Sequence, residues 1–422
     1  MRDPTDVRSP SIDSPPPWWA RPGLELRKGR LAVAGRDAED LARQLGTPRF
    51  AFDLVRILEQ LEALRDALAG AGLAHRVRYA MKACREPDVL RYIRGLGEGG
   101  SPNAVGIDAS SPHEVELALA SGWLPEEISL TGSNLTDADL TSVLTEPIHI
   151  NVDLLSQLRR VGRLFEGRRV GIRVNPRVSV IRDGGALYSG DRPTKFGIYP
   201  EDLARALETA RAHSLLINAL HVHVGWAYRN EELLSFEHAV EQLARITQQL
   251  RAAGHAIEEV NVGGGLGVPY LEGEEALDLH RWAAILARHL GSLGVVVSVE
   301  PGEFLVKEAG VLLAEVVTVE ERMGRTFAGL NVGWNAIGQR YVYGEPIVLA
   351  PCRARTPGRI ERLTFAGNVN DADDLFAVDY PFPRVEEGDI VAMLAVGAYN
   401  QSMANDHCLR PRAAATFFDD RI

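Results

Sequence analysis

The chain has 422 residues, 45% of them hydrophobic and 24% charged, with a net charge of −11 and an isoelectric point near 5.6. That length exceeds one ordinary domain, so two are expected, each able to bury a sizeable core. The acidic balance argues against a nucleic-acid-binding surface, which needs a basic patch, and no apolar run approaches the ~20 residues of a membrane span.

Residues 1–23 are rich in proline, with Pro15-Pro16-Pro17 ahead of Trp18-Trp19. They read as a disordered arm whose tryptophans pin one end to the body. Residues 24–48 read as short strands and turns that join a C-terminal β domain. From about Phe50 short apolar strands alternate with amphipathic helices, the signature of a parallel sheet under covering helices. The strands are Phe50–Phe52, Val77–Met81, Ala104–Ile107, Glu127–Leu130, His149–Val152, Arg169–Val174, Ile217–Val224, Glu258–Val262 and Val295–Glu300. A glycine-rich loop covers 183–190. About eight strand-then-helix units predict a (β/α)₈ barrel over 49–308. A doubly wound sheet is the alternative, but it would not put polar residues at so many strand ends. After about residue 310 the helices stop, and residues 309–422 predict a mostly β domain, a sandwich or a barrel.

The cysteines Cys84, Cys352 and Cys408 match no metal motif and give no disulfide framework. With no basic and apolar leader at the N-terminus, a reducing cytoplasmic setting is expected.

Lys82 closes an apolar strand, where an ammonium must be solvated, paired or used covalently. Alone it would read as a lysine that snorkels to the surface. Its company changes that reading: His221-Val222-His223-Val224-Gly225, Gly263-Gly264-Gly265-Leu266-Gly267 and Glu300-Pro301-Gly302. With Asp108 and Arg173 these sit at the C-terminal ends of strands, the face where barrel active sites lie. An amine, a stacking imidazole, a glycine loop that lets backbone N–H groups approach a phosphate, and a carboxylate are the parts a pyridoxal phosphate site needs.

From about Thr47 to Ala414 these motifs resemble the fold-type III pyridoxal-phosphate-dependent amino-acid decarboxylases, those of diaminopimelate, ornithine and arginine, with an alanine racemase-like barrel and a β domain. The resemblance implies that Lys82 is the Schiff-base lysine, that His223 stacks on the pyridine face, and that Glu300 bonds the pyridine nitrogen. It implies phosphate contacts for Gly263, Gly264, Gly265, Gly302 and Tyr399. Asp108, Glu114 and Arg173 resemble residues that buttress the cofactor, with structural roles the alternative. His221 reads as structural, and Lys195-Phe196-Gly197 resembles a family segment without an assigned chemical role. The resemblance also implies a homodimer in which Asp371 and Tyr399 complete a site built mainly by the other chain.

Three departures bear on the substrate. Glu303 stands where most of these enzymes have an arginine after Glu-Pro-Gly, which should repel an anion and invite a cation. Asn370 stands where the family has a cysteine that protonates Cα, while Asp371 keeps the acid for a distal amine. Gln339 falls at the position of an arginine for the substrate's distal carboxylate, with Arg340 beside it and Tyr343 nearby. Trp226 replaces a usual serine. These changes suggest a basic or specialised amino acid and argue against diaminopimelate. The expected function is decarboxylation of such a substrate. The alternatives are another outcome at Cα, such as oxidation, condensation or epimerisation, and a non-catalytic homologue.

Overall fold

The computed structural model describes residues 16–97, 104–180, 188–190, 192–353 and 360–422. The expectations for residues 1–15 and for most of the 183–190 loop lie outside these. The chain divides into two compact units, one of residues 58–268 and 275–304 and one of residues 1–57, 269–274 and 305–422.

The first unit is a closed barrel of eight parallel strands. They are β1 (His75–Ala80), β2 (Gly106–Ala109), β3 (Ile128–Leu130), β4 (His149–Val152), β5 (Arg169–Arg173), β6 (Leu216–His221), β7 (Glu259–Asn261) and β8 (Val296–Val299). Most positions along each strand are buried, as expected of strands covered on both faces. Three of the covering helices start at side-chain caps. Ser111 accepts from the Glu114 amide ahead of Pro112–Ala120, Thr136 and Asp139 form a reciprocal box ahead of Asp137–Leu144, and Asp278 accepts from the Arg281 amide. Helix Leu233–Ala252 buries Phe236, Val240, Leu243 and Leu250 along one stripe.

Inside the barrel, Arg78 of β1 reaches past β8 to Glu259 of β7, with Nη1–Oε1 at 2.5 Å, and donates to Ser298 Oγ at 3.0 Å. Arg76 adds a bond to Glu259 at 2.7 Å. Burial pushes the Glu259 carboxyl up, and the neighbouring cations, Arg78 foremost, outweigh it and bring it down to about 2.

The second unit carries strands in the order Val348–Pro351, Ile390–Leu394, Gly310–Arg322, Arg325–Leu330, Ile360–Ala366 and Leu375–Pro383. Arg49–Asp53 pairs antiparallel with Gly310–Arg322 and parallel with Ala414–Phe418. Phe50–Phe52 is therefore not a barrel strand, and the barrel reading of 49–308 is corrected at its start. A strand buried on both faces looks alike in either sheet, so periodicity could not tell them apart. A separate three-stranded sheet, Leu24–Arg27, Arg30–Val33 and Arg36–Asp37, packs Leu24, Leu31 and Val33 into one core with Val311, Leu313 and Ile390. The disordered-arm reading is also corrected for residues 16–23. Arg21 and Leu24 exchange two backbone bonds of 2.9 Å, and Trp19 packs on that core. The helices do not stop after 310, since Gly338–Tyr343 forms a short one.

Removing one partner of the Arg78–Glu259 pair leaves a buried charge. Glu259→Leu is expected to cost about 3–5 kcal/mol in chemical denaturation. Because its folded value lies below the ordinary one, Glu259 contributes stability at neutral pH that is lost as pH falls toward about 2. An acid-unfolding profile of the variant should lack that component.

Candidate active site

Strand register sets a ring of polar residues at one end of the barrel. Ala80 pairs with Asp108, Arg173 with His221, His221 with Asn261, and Asn261 with Ser298, two residues before Glu300. Two residues along a strand return to the same face. Lys82 follows β1 by two residues and is partly covered, and its charge acts on Asp108, His223 and Glu300 together. The structure thus gathers Lys82, Asp108, Arg173, His223 and Glu300 in one place.

Glu300 is buried, and both its oxygens are held. His221 Nε2 lies 3.0 Å from Oε2, and Asn261 Nδ2 donates to Oε1 at 2.6 Å. Burial pushes this carboxyl up, yet His221, Lys82 and Asn261 bring it down to about 2. Asp108 goes the other way. Burial, then the charge of Glu300, raises it well above the usual carboxylate range, and its Oδ1 has no partner among the described residues. Burial, then Lys82 and Arg173, holds His223 well below the ordinary histidine value, so its imidazole is neutral. Tyr188 stands edge-on to His223, with centroids 4.7 Å apart at 79°.

Arg173 is fixed by Asp153, with Nη1–Oδ1 at 3.4 Å, and lies over the Phe196 ring at 4.3 Å. Gly197 N–H donates to Asp153 Oδ1 at 2.9 Å, which gives the Lys195–Gly197 segment a positioning part. Glu114 accepts from the Ser110 amide at 2.7 Å, a cap that holds the turn after β2. Sequence reasoning missed Tyr188, Asp153 and Asn261, and gave His221 no link to Glu300. For His221 and Asn261 the available signal was position, since Asn261 ends the strand beside Glu300's and His221 ends the next strand over.

The glycine loop follows β7. Gly263 has φ +71° and donates to Asn261 Oδ1 at 2.9 Å, and Gly265 has φ +90°. A Cβ on Gly264 would sit 2.1 Å from the Glu300 carbonyl oxygen. The amides of Gly264, Gly265 and Leu266 donate to no other described residue. Successive free N–H groups beside a barrel mouth form an anion cradle. Gly302 packs against the lysine's strand end, where a Cβ would meet those of Ala83 at 3.1 Å and Ala80 at 3.2 Å. Glu303 follows it and is buried.

In the second unit, Gln339, Arg340 and Tyr343 share the helix Gly338–Tyr343. Gln339 is buried and its backbone N–H donates to Asn400 Oδ1 at 3.2 Å, while Arg340 donates to the carbonyls of Gly344 and Glu345. Tyr399 has φ +56° and stands edge-on to Tyr343 at 6.1 Å. Asn370 and Asp371 are exposed. Of Asp371, Asp373 and Asp374, the first two are exposed. Asp374 is buried and accepts from the amides of Trp334 at 2.9 Å and Val369 at 2.7 Å.

An ionised buried carboxylate, a neutral imidazole, a lysine and a phosphate cradle on a parallel barrel fit pyridoxal phosphate, and together they define a barrel enzyme of that cofactor class. The profile of the pyridoxal-binding domain of pyridoxal-dependent decarboxylases matches residues 54–307. The chain belongs to this family; it is a carboxy-lyase and its cofactor is pyridoxal phosphate. Diaminopimelate decarboxylase of Methanothermobacter thermautotrophicus is 35% identical, over 93% of this chain and 92% of its own length. That of Escherichia coli K12 is 29% identical, over 91% and 92%. The crystal structure of diaminopimelate decarboxylase from Helicobacter pylori with L-lysine has a TM-score of 0.82 at 26% identity, covering 90% of this chain and 93% of that one. These relatives count against the reading that diaminopimelate is not the substrate, and that exclusion is withdrawn. It rested on single positions aligned without their geometry.

Gly264→Ala should press its methyl into the Glu300 carbonyl and move the loop. The expected outcome is at least ~10-fold weaker pyridoxal phosphate binding in a spectral titration, the scale of one lost charged hydrogen bond.

Proposed function

We propose that this enzyme decarboxylates an α-amino acid bearing a second, distal ammonium group, with Lys82 anchoring the cofactor and Glu300 gripping its ring nitrogen. The observation that carries this reading is Glu300, a buried carboxylate kept ionised beside Lys82. The bound cofactor supplies an electron sink for the pair left as the bond from Cα to the carboxylate breaks. Glu300 opposes loss of the proton from the ring nitrogen. His223, uncharged, covers the ring face. The amides of Gly264, Gly265 and Leu266 hold the phosphate, with Gly302 beside them, and Asp108 and Arg173 buttress the ring. Lys82 Nζ returns a proton to Cα, because Asn370 has none to give at neutral pH.

The distal ammonium rests on two acids, Glu303 and Asp371, and on the substrate named for the relatives, with L-lysine in one related complex. Both molecules carry a distal amine. By its place in the family pattern Gln339 is assigned to the substrate's far end, with Arg340 and Tyr343 on the same helix. Asn370, Asp371 and Tyr399 complete the site of a second copy in a homodimer, and the exposure of Asn370 and Asp371 supports this.

Carbon dioxide release should be measured with meso-diaminopimelate, L-lysine and L-ornithine, alongside the amine product. One substrate should yield both in equal amounts. Lys82→Ala should abolish the cofactor's visible absorbance and lower turnover at least ~10³-fold. A cofactor-loaded enzyme that yields aldehyde or unchanged amino acid overturns the reading. Light scattering should give a dimer.

A further inference from the structure

His221 is buried at the end of β6, and its Nε2 lies 3.0 Å from Glu300 Oε2. An ionised carboxylate can only accept, so Nε2 carries the hydrogen. Nδ1 has no partner among the described residues. One ring nitrogen is thus committed to Glu300. Asn261 occupies the other oxygen at 2.6 Å, and its own Oδ1 accepts from Gly263 N–H at 2.9 Å, which ties Glu300 to the glycine loop. His223, two residues on, makes no bond to Glu300 among the described residues and meets Tyr188 instead.

We propose that His221 is a positioning residue that sets the basicity of Glu300, so that a proton shared with the cofactor's ring nitrogen stays on that nitrogen. Each hydrogen bond donated to the carboxylate stabilises its charged form and makes Glu300 a weaker base. Without the His221 bond, burial favours the neutral acid, and the proton passes from ring nitrogen to Glu300 oxygen. The ring then loses its positive charge and with it much of its pull on electrons at Cα. The two histidines of His-Val-His thereby divide the work, one acting through Glu300 and one meeting the ring face. The inference rests on the reading of Glu300 as partner of the ring nitrogen.

The test uses nitrogen NMR of holoenzyme loaded with ring-labelled pyridoxal phosphate. In the unaltered enzyme the ring nitrogen should resonate as pyridinium. His221→Leu should move it toward the neutral pyridine position and lower kcat about tenfold or more, the scale of a lost hydrogen bond to a charged group, with KM changed less than about twofold. His221→Gln keeps an amide donor and should restore both readouts in large part. A pyridinium signal unchanged in His221→Leu overturns the inference, as does an equal loss in the Gln and Leu variants. If His221→Leu does not fold, His221→Ala is read in the same way. Glu300→Gln separates the two failures. If it leaves the ring-nitrogen signal unchanged, the Glu300 reading itself is wrong.

Discussion

A carboxylate taken out of water into a protein interior normally gives up its charge. Glu300 keeps its charge because three neighbours favour it, His221, Asn261 and the cation of Lys82. The arrangement depends on the barrel's strand register. His221 and Asn261 are register partners, and Asn261 pairs with Ser298, so the residue two places past Ser298 emerges next to Asn261 and within reach of His221. A one-residue slip of β8 would turn Glu300 out of the ring.

That anion orders the rest of the site. Asp108 and Glu300 repel one another, and burial cannot be overcome at both. Their carboxyls are driven apart, Glu300 down and Asp108 up. Two acids with separated proton affinities can take different roles at one pH. Burial, then the cations that face them, leaves His223 neutral. A deeper layer repeats the pattern, where Arg78 and Glu259 cancel charge inside the barrel and Arg78 also acts on Glu300 and Asp108.

Much of the site was legible in the sequence, for a definite reason. Lys82, His223, Glu300 and the glycines lie within short segments whose chemistry depends on local spacing. His221 and Asn261 were hard to read because their part depends on which strands lie side by side, a fact absent from any one segment. Phe50–Phe52 was misplaced for a related reason, since burial on both faces does not record which sheet a strand joins. Asp374 hid within a polar run, and only its burial and its bonds to the amides of Trp334 and Val369 distinguish it from its exposed neighbours. The barrel itself was easier, because helices between short apolar strands leave few alternative folds.

The substrate was the least legible part. The helix Gly338–Tyr343 is held at several points. The Gln339 backbone N–H is tied to Asn400, Arg340 to the carbonyls of Gly344 and Glu345, and Asp374 grips Trp334 just upstream. Glu345 is buried, paired with Lys307, and accepts from Tyr270 OH at 3.0 Å, while the Lys307 ammonium lies 3.9 Å from the Tyr270 ring centre. Such a frame fixes where several side chains point at once. Gln339 in place of an arginine removes one charge, and Arg340 follows it on the same helix. A list of single replacements, read without that frame, could suggest a cationic preference but had no physical basis for excluding a substrate that carries both an ammonium and a carboxylate at its far end.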